Sequence, residues 1–120
     1  MMLDIDHSDK MHHYFSLMCR SERAFLDGLR YFSLGTGLQQ GEIMTEFPDS
    51  PDREEHFREL YPDCVGFYND YDPPPHFVPI GGFLAYLDEV CRRYTEDKEE
   101  EYKEKVCAYL KAISDRYGHT

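Results

Sequence analysis

The sequence lacks a long apolar run, a tryptophan and an apolar segment near its start. None of its 120 residues falls in a stretch approaching the ~18 uninterrupted apolar residues that a membrane span requires. The first ten residues include three aspartates and no hydrophobic core segment, so we expect no secretory signal and a cytoplasmic protein. Hydrophobic residues make up 41% of the chain, which favours a single folded domain over 1–120 and argues against a disordered chain.

The sequence also lacks the local half-sites of a zinc centre. Its four cysteines are separated by 45, 27 and 16 positions, and no C-x-x-C or C-x-x-H pair is present. His12 and His13 are adjacent, and adjacent residues of a helix point about 100° apart, so they share a metal ion poorly. We therefore expect no metal, and we interpret the thiols as buried and unreactive. They are Cys19, Cys64, Cys91 and Cys107.

Catalytic signatures are missing as well. Gly35-Thr36-Gly37 has neither the lysine nor the following helix of a phosphate-binding loop. His76 lies in a proline-rich stretch, but the spacing of its neighbours supplies no nucleophile and no carboxylate pair. The sequence thus predicts no catalytic residue, no cofactor and no enzymatic turnover.

Basic residues are scarce. The chain has 13 Lys and Arg against 24 Asp and Glu, a formal net charge of −11. A protein that binds nucleic acid needs a basic patch to neutralise phosphates, and an anionic membrane surface attracts the same kind of patch. Direct binding to either partner is therefore disfavoured. An acidic domain is suited instead to attract a basic protein.

Most of the charge imbalance lies in residues 42–72, which we call the acidic block. Ten acidic and two basic side chains give this block a net charge of −8, whereas residues 1–41 carry −1 and residues 73–120 carry −2. An even distribution would serve solubility equally well. The concentration of charge therefore predicts a binding face.

The spacing of apolar side chains predicts helices toward both ends of the chain and strands between them. Helical spacing is found over 9–19, 22–33, 51–60, 83–94 and beyond 97. Strand patterns are found at 42–47, 64–68 and 76–78. Together they predict an α+β fold, a single domain with helices at both ends around a small antiparallel sheet.

Two local features refine this prediction. Asp97 and Glu100 have the spacing of a capping box at the start of the last helix. The helix over 51–60 is a marginal surface element that buries only Phe57 and Leu60, with Tyr61 beside them.

Several short motifs resemble a known family. The run FLDGLRYFSLGTG at 25–37, followed by Gly41-Glu42 and Phe47-Pro48-Asp49, is similar to immunity proteins of bacterial contact-dependent growth inhibition systems. The nearest group within them pairs with ribonuclease toxins, and FLAYL at 83–87 fits the same pattern. The resemblance spans about residues 20–110. It implies a small, cytoplasmic, non-catalytic protein that neutralises a cognate toxin by binding it in a 1:1 heterodimer.

The residues and the resemblance together predict that an acidic surface binds a basic nuclease toxin. Strand alternation over 42–47 directs Glu42 and Glu46 to one face, and the loop at 70–72 joins that face if the flanking strands are neighbours. Tyr71 would supply the aromatic anchor. The candidate toxin-binding residues are Glu42, Glu46, Asp49, Asp52, Asp70, Tyr71 and Asp72.

Two other classes of function remain open at this point. An acidic adaptor or regulatory module would bind a different basic protein through the same charges. A small hydrolase would use carboxylates for acid–base chemistry, and it would reveal itself by a carboxylate pair with a raised pKa in a cleft. Co-purification with a nuclease distinguishes the first reading from the adaptor.

Overall fold

Five helices and three strands follow one another in the described part of the chain. The computed structural model describes residues 9–50, 55–69 and 75–118. The elements are α1 (Asp9–Met18), α2 (Glu22–Ser33), β1 (Ile43–Glu46), α3 (Glu55–Leu60), β2 (Cys64–Asn69), β3 (His76–Pro79), α4 (Ile80–Tyr94) and α5 (Glu100–Tyr117). The predicted α+β fold with helices at both ends is confirmed.

The boundaries of α2 follow from its sequence. The Ser21 side chain accepts a hydrogen bond of 3.0 Å from the backbone N–H of Ala24, so it caps the helix start. The helix ends before Gly35, whose φ of +73° favours glycine. Inside the helix, a Cβ added to Gly28 would lie 2.9 Å from the Met18 side chain. Gly28 therefore allows α1 and α2 to approach closely.

The three strands form one antiparallel sheet in the order β1-β2-β3. Thr45 lies opposite Phe67, and Val65 lies opposite Val78. These side chains are buried on the inner face of the sheet, against the long helices. The strand starts at Ile43 rather than at residue 42, because Gln40 and Ile43 exchange backbone hydrogen bonds across the preceding turn.

Stacked and edge-on aromatic rings fill the core between the sheet and the helices. Phe83 of α4 lies at the centre, with its ring centroid 5.7 Å from that of Phe32, 5.5 Å from Phe47, 6.0 Å from Phe15 and 6.3 Å from Phe67. All five rings are fully buried or nearly so. Large aromatic side chains bury ~150–250 Å² each, so this cluster stabilises the contact of helices α1, α2 and α4 with the sheet.

Buried tyrosines make the stability of this core sensitive to high pH. Burial raises the pKa of Tyr14 above its ordinary value of 10.0 and that of Tyr86 to about 12. The unfolded chain loses these protons first as the pH rises, so the free energy of unfolding is undiminished below pH ~10 and falls as the pH approaches 12. Urea unfolding between pH 8 and 11.5 checks this. We expect the midpoint to fall above pH 10, and a constant midpoint would contradict the expectation.

Candidate functional site

Three of the seven sequence-predicted binding residues lie in the described part of the chain, on or beside β1. Glu42 is exposed in the turn before β1, Glu46 ends the strand, and Asp49 lies in the following turn. The other four lie outside the described residues. They are Asp52, Asp70, Tyr71 and Asp72.

Glu46 lies on the outer face of the sheet, opposite to the core. Along β1 the buried residues Ile43 and Thr45 alternate with exposed Met44 and half-buried Glu46. The hydroxyl of Tyr68 donates a 3.4 Å hydrogen bond to Glu46 Oε1. Glu42 precedes the strand, so strand alternation does not place it on the same face as Glu46. The prediction that these two carboxylates share a face therefore loses its basis in strand alternation.

The condition set for the loop at 70–72, that the two flanking strands are neighbours, is met. β1 and β2 are antiparallel neighbours, with Met44 opposite Tyr68 and Glu46 opposite Gly66. The loop at 70–72, which we expected to extend the face, lies outside the described residues.

Asp49 is engaged within the protein itself. Arg116 Nη2 donates a 2.9 Å hydrogen bond to Asp49 Oδ2, and the Tyr117 hydroxyl donates one of 2.7 Å to Oδ1. The Tyr117 ring also stacks on Phe47, with centroids 5.0 Å apart. These contacts attach the turn after β1 to the end of α5. The charge of Asp49 is partly offset by Arg116, so this residue contributes less than a fully solvated carboxylate to attracting a basic partner.

Four aromatic rings cover part of the outer face of the sheet, and we call them the outer aromatic cluster: Phe57, Tyr61, Tyr68 and Phe77. The Tyr61 ring stacks on Phe77 at 4.2 Å, and Phe57 lies 5.0 Å from Phe77 and 6.2 Å from Tyr68 between centroids. Through these contacts α3 is packed against β2 and β3. The cluster therefore gives the short helix a fixed position over the sheet.

Gly66 makes room for this cluster. A Cβ added there would lie 2.9 Å from the ring of Tyr68 and 3.1 Å from that of Phe77. The two rings therefore approach the backbone of β2 more closely than another residue would allow. An aromatic ring beside a strand glycine is a known device for covering the bare backbone.

Apolar side chains are exposed around the outer aromatic cluster. Leu60 at the end of α3 is 56% exposed, Met44 of β1 is 41% exposed, and Tyr61 is 38% exposed. The sequence predicted that Leu60 would be buried, and this is wrong. Helix α3 has only six residues and packs through Phe57 and Tyr61. Leu60 is rotated about the helix axis from both, so it lies at the flank of the packed face.

Acidic side chains around α3 have no basic partner among the described side chains. Glu55, Glu59 and Asp63 are exposed and take part in no ion pair there, and the same is true of Glu42. Arg53 and the side chain of Arg58 are outside this description. Among the described residues, acidic side chains without an ion pair therefore lie next to the exposed apolar residues.

Three of the four acidic residues of α5 differ in this respect. Helical i,i+3 and i,i+4 pairs join Glu100 to Lys103 at 4.0 Å, Glu101 to Lys105 at 3.8 Å and Asp115 to Lys111 at 2.8 Å. Such pairs cancel much of the field at a distance. The outer face of α5 is thus mixed in charge.

We call the combined area the α3 surface. It consists of the exposed or half-exposed side chains on β1, α3 and the turn after α3. They are Met44, Glu46, Glu55, Glu59, Leu60, Tyr61 and Asp63. An apolar centre with an acidic border is the arrangement of a protein-binding site rather than of a catalytic cleft.

Burial keeps two of the four thiols in the protonated, less reactive form. Burial raises the pKa of Cys91 well above its ordinary value and that of Cys19 to about 11, so both stay protonated at neutral pH. The expectation that all four cysteines are buried is corrected, because Cys91 is buried, Cys19 and Cys64 are half-buried and Cys107 is exposed. It lies with Cys91 along a groove of about 460 Å³ between α4 and α5, also lined by Val106 and Leu110.

Two further properties concern the described residues as a set. No three of their His, Cys, Asp and Glu side chains are arranged to hold a metal ion. None of their helices combines the length and the apolar character needed to cross a membrane.

Comparison with known proteins identifies the family. A family model described as CDI immunity protein, where CDI denotes contact-dependent growth inhibition, matches residues 7–110. Among curated proteins, no match to the chain is found. The matched range includes α1 to α4, the whole sheet and the first half of α5. With most of its length matched, the chain belongs to the CDI immunity protein family.

Proposed function

We propose that this protein neutralises a cognate toxin domain by binding it through the α3 surface and the rest of the acidic block. The partner would be a basic nuclease of the ribonuclease type, held in a 1:1 complex in the cytoplasm. Family membership supports the binding of a toxin. A basic nuclease is inferred from the charge of the acidic block, and the ribonuclease type from the resemblance of the motifs at 25–37 and 83–87.

The observation that best supports this proposal is the unpaired negative charge next to exposed apolar side chains. Glu55, Glu59 and Asp63 are exposed beside Leu60 and Tyr61, without basic partners among the described side chains. A nuclease has a positively charged cleft because it must bind phosphates. Carboxylates of an inhibitor can occupy the places of those phosphates, so complementary charge links the acidic block to a nuclease.

Exposed carboxylates at a binding surface affect mainly the association rate of the complex. Electrostatic steering raises association rates from about 10⁵–10⁶ M⁻¹s⁻¹ to as much as ~10⁸–10⁹ M⁻¹s⁻¹ at low salt. An immunity protein has to capture its toxin before RNA is cut, so a high association rate serves this function directly. The protein acts by binding and has no step of turnover in this proposal.

The function is tested with the candidate toxin domain encoded by the neighbouring gene. We expect the two purified proteins to form a 1:1 complex by light scattering, and RNA cleavage by the toxin to stop when one equivalent of this protein is present. An unrelated acidic protein of similar charge serves as the control and should not inhibit. Failure to form a complex at micromolar concentration, or cleavage that continues in the complex, would contradict the proposal.

A further inference from the structure

We propose that Met44 and Leu60 form the apolar centre of the toxin-binding surface, and that the toxin presents to them an apolar patch bordered by Lys and Arg. This inference rests on the proposed function and adds the residues that hold the complex together. Neither residue belongs to the set predicted from sequence, which consisted of acids and one tyrosine. The borders of the patch are the acidic side chains Glu55, Glu59 and Asp63.

Both side chains have a rigid support. Met44 projects from the outer face of β1 opposite Tyr68, whose ring lies 5.9 Å from Phe77 between centroids. Leu60 directly precedes Tyr61, whose ring stacks on the same Phe77. The outer aromatic cluster therefore links the two exposed residues through packed rings. A side chain on a packed support loses less conformational freedom on binding than one on a loop.

Exposed carboxylates alone account poorly for a long-lived complex. Charges at a solvated border change the association rate and its salt dependence, whereas groups that become fully desolvated at the centre govern dissociation. Hot spots are found at the centre of an interface, surrounded by contacts that exclude water. Met44 and Leu60 are the exposed apolar residues of the α3 surface that can take this place beside Tyr61.

The charge of the α3 surface favours a basic protein over a second copy of this chain as the binding partner. A second copy of this chain would bring one α3 surface against another, and the acidic block carries −8 on each. Like charges facing each other in an interface cost several kcal/mol, so self-association through this surface is disfavoured. A basic partner satisfies the acidic border and the apolar centre together.

The experiment compares Met44→Ser, Leu60→Ser and the double variant with Leu34→Ser. Leu34 is 61% exposed at the end of α2, so it is a matched exposed leucine outside the α3 surface. Association and dissociation rates with the neighbouring gene's toxin domain are measured by surface plasmon resonance at two salt concentrations. Thermal unfolding verifies that each variant is folded, and Met44→Gln replaces Met44→Ser if the smaller side chain disturbs β1.

The expected result is a specific effect on dissociation. The double variant should raise Kd at least about tenfold, nearly all of it as faster dissociation, with an unchanged salt dependence of association. Leu34→Ser should bind like the wild type. If the wild type binds and the folded double variant matches it in Kd, the apolar centre is refuted while the proposed function stands.

Two other outcomes also decide against the inference. If the wild type does not bind the toxin domain, the proposed function fails and this inference fails with it. If the wild type dimerises, and the double variant abolishes the dimer without changing toxin binding, the occupant is a second copy and the proposal is overturned.

Discussion

Reversing three charges of the α3 surface, with Glu55→Lys, Glu59→Lys and Asp63→Lys together, is expected to slow association with the toxin about 10- to 100-fold at low salt. These carboxylates are exposed and without basic partners among the described side chains. Their field therefore acts on an approaching basic protein with no described ion pair to offset it. The stopped-flow association rate, measured from low to moderate salt, checks this. Its decrease with added salt should become much shallower in the variant, because the steering charge is gone.

The matched control reverses three acids on α5, with Glu101→Lys, Glu104→Lys and Asp115→Lys. It changes the net charge by the same amount at a different place. Glu101 and Asp115 are already paired with lysines in this helix. We expect a smaller decrease in the association rate. If the α5 variant slows association as much as the α3 variant, overall charge rather than the α3 surface attracts the partner.

The second large effect concerns stability. Replacing Phe83 by alanine is expected to lower the free energy of unfolding by about 3–5 kcal/mol. Phe83 is fully buried, and its ring contacts those of Phe15, Phe32, Phe47 and Phe67. The alanine variant loses this burial and leaves a cavity that rings from four different segments cannot fill without moving. A loss of this size removes a large part of the stability of an ordinary domain.

Urea unfolding of the wild type and variants measures this loss. Phe83→Leu retains most of the apolar volume, so it should lower the free energy of unfolding distinctly less than Phe83→Ala does. Tyr61→Ala removes an aromatic ring that is 38% exposed, and it should lower the free energy of unfolding less than either Phe83 variant. Equal losses for Phe83→Ala and Tyr61→Ala would contradict the central position of Phe83 in the core.

The sequence was sufficient for the main architecture because periodicity records which side chains face the core. The alternation of Ile43 and Thr45 with Met44 and Glu46 predicted the inner face of β1, and the apolar spacing over 22–33 predicted the extent of α2. These are local signals, in which a few consecutive residues determine the backbone geometry.

The helix start at α5 shows where local signals are too weak. Asp97 and Glu100 have the spacing of a capping box, yet the helix begins at Glu100 with Glu99 as its cap residue and no side-chain cap. Lys98 lies over the ring of Tyr94, with its Nζ 4.8 Å from the ring centroid. The same Nζ lies 3.9 Å from Glu22 Oε2 of α2, a tertiary contact that the sequence does not display.

The candidate site was predicted only in part, for a related reason. The charge count located the acidic block, but it treated every carboxylate alike. Asp49 is bound to Arg116 and Tyr117, which are distant in sequence, whereas Glu55, Glu59 and Asp63 stay unpaired among the described side chains.

Gly37 is a second residue whose role depends on a contact that is distant in sequence. A Cβ there would lie 1.5 Å from the carbonyl oxygen of Thr45, so its role depends on a strand that follows it.

Hydrogen exchange of this protein, alone and bound to the neighbouring gene's toxin domain, tests the central claim most directly. The claim is that the toxin is bound by the α3 surface. It predicts slower amide exchange on binding in β1 and over residues 55–63, with little change on the outer face of α5. Slower exchange confined to α4 and α5, with residues 42–46 and 55–63 unchanged, would contradict it.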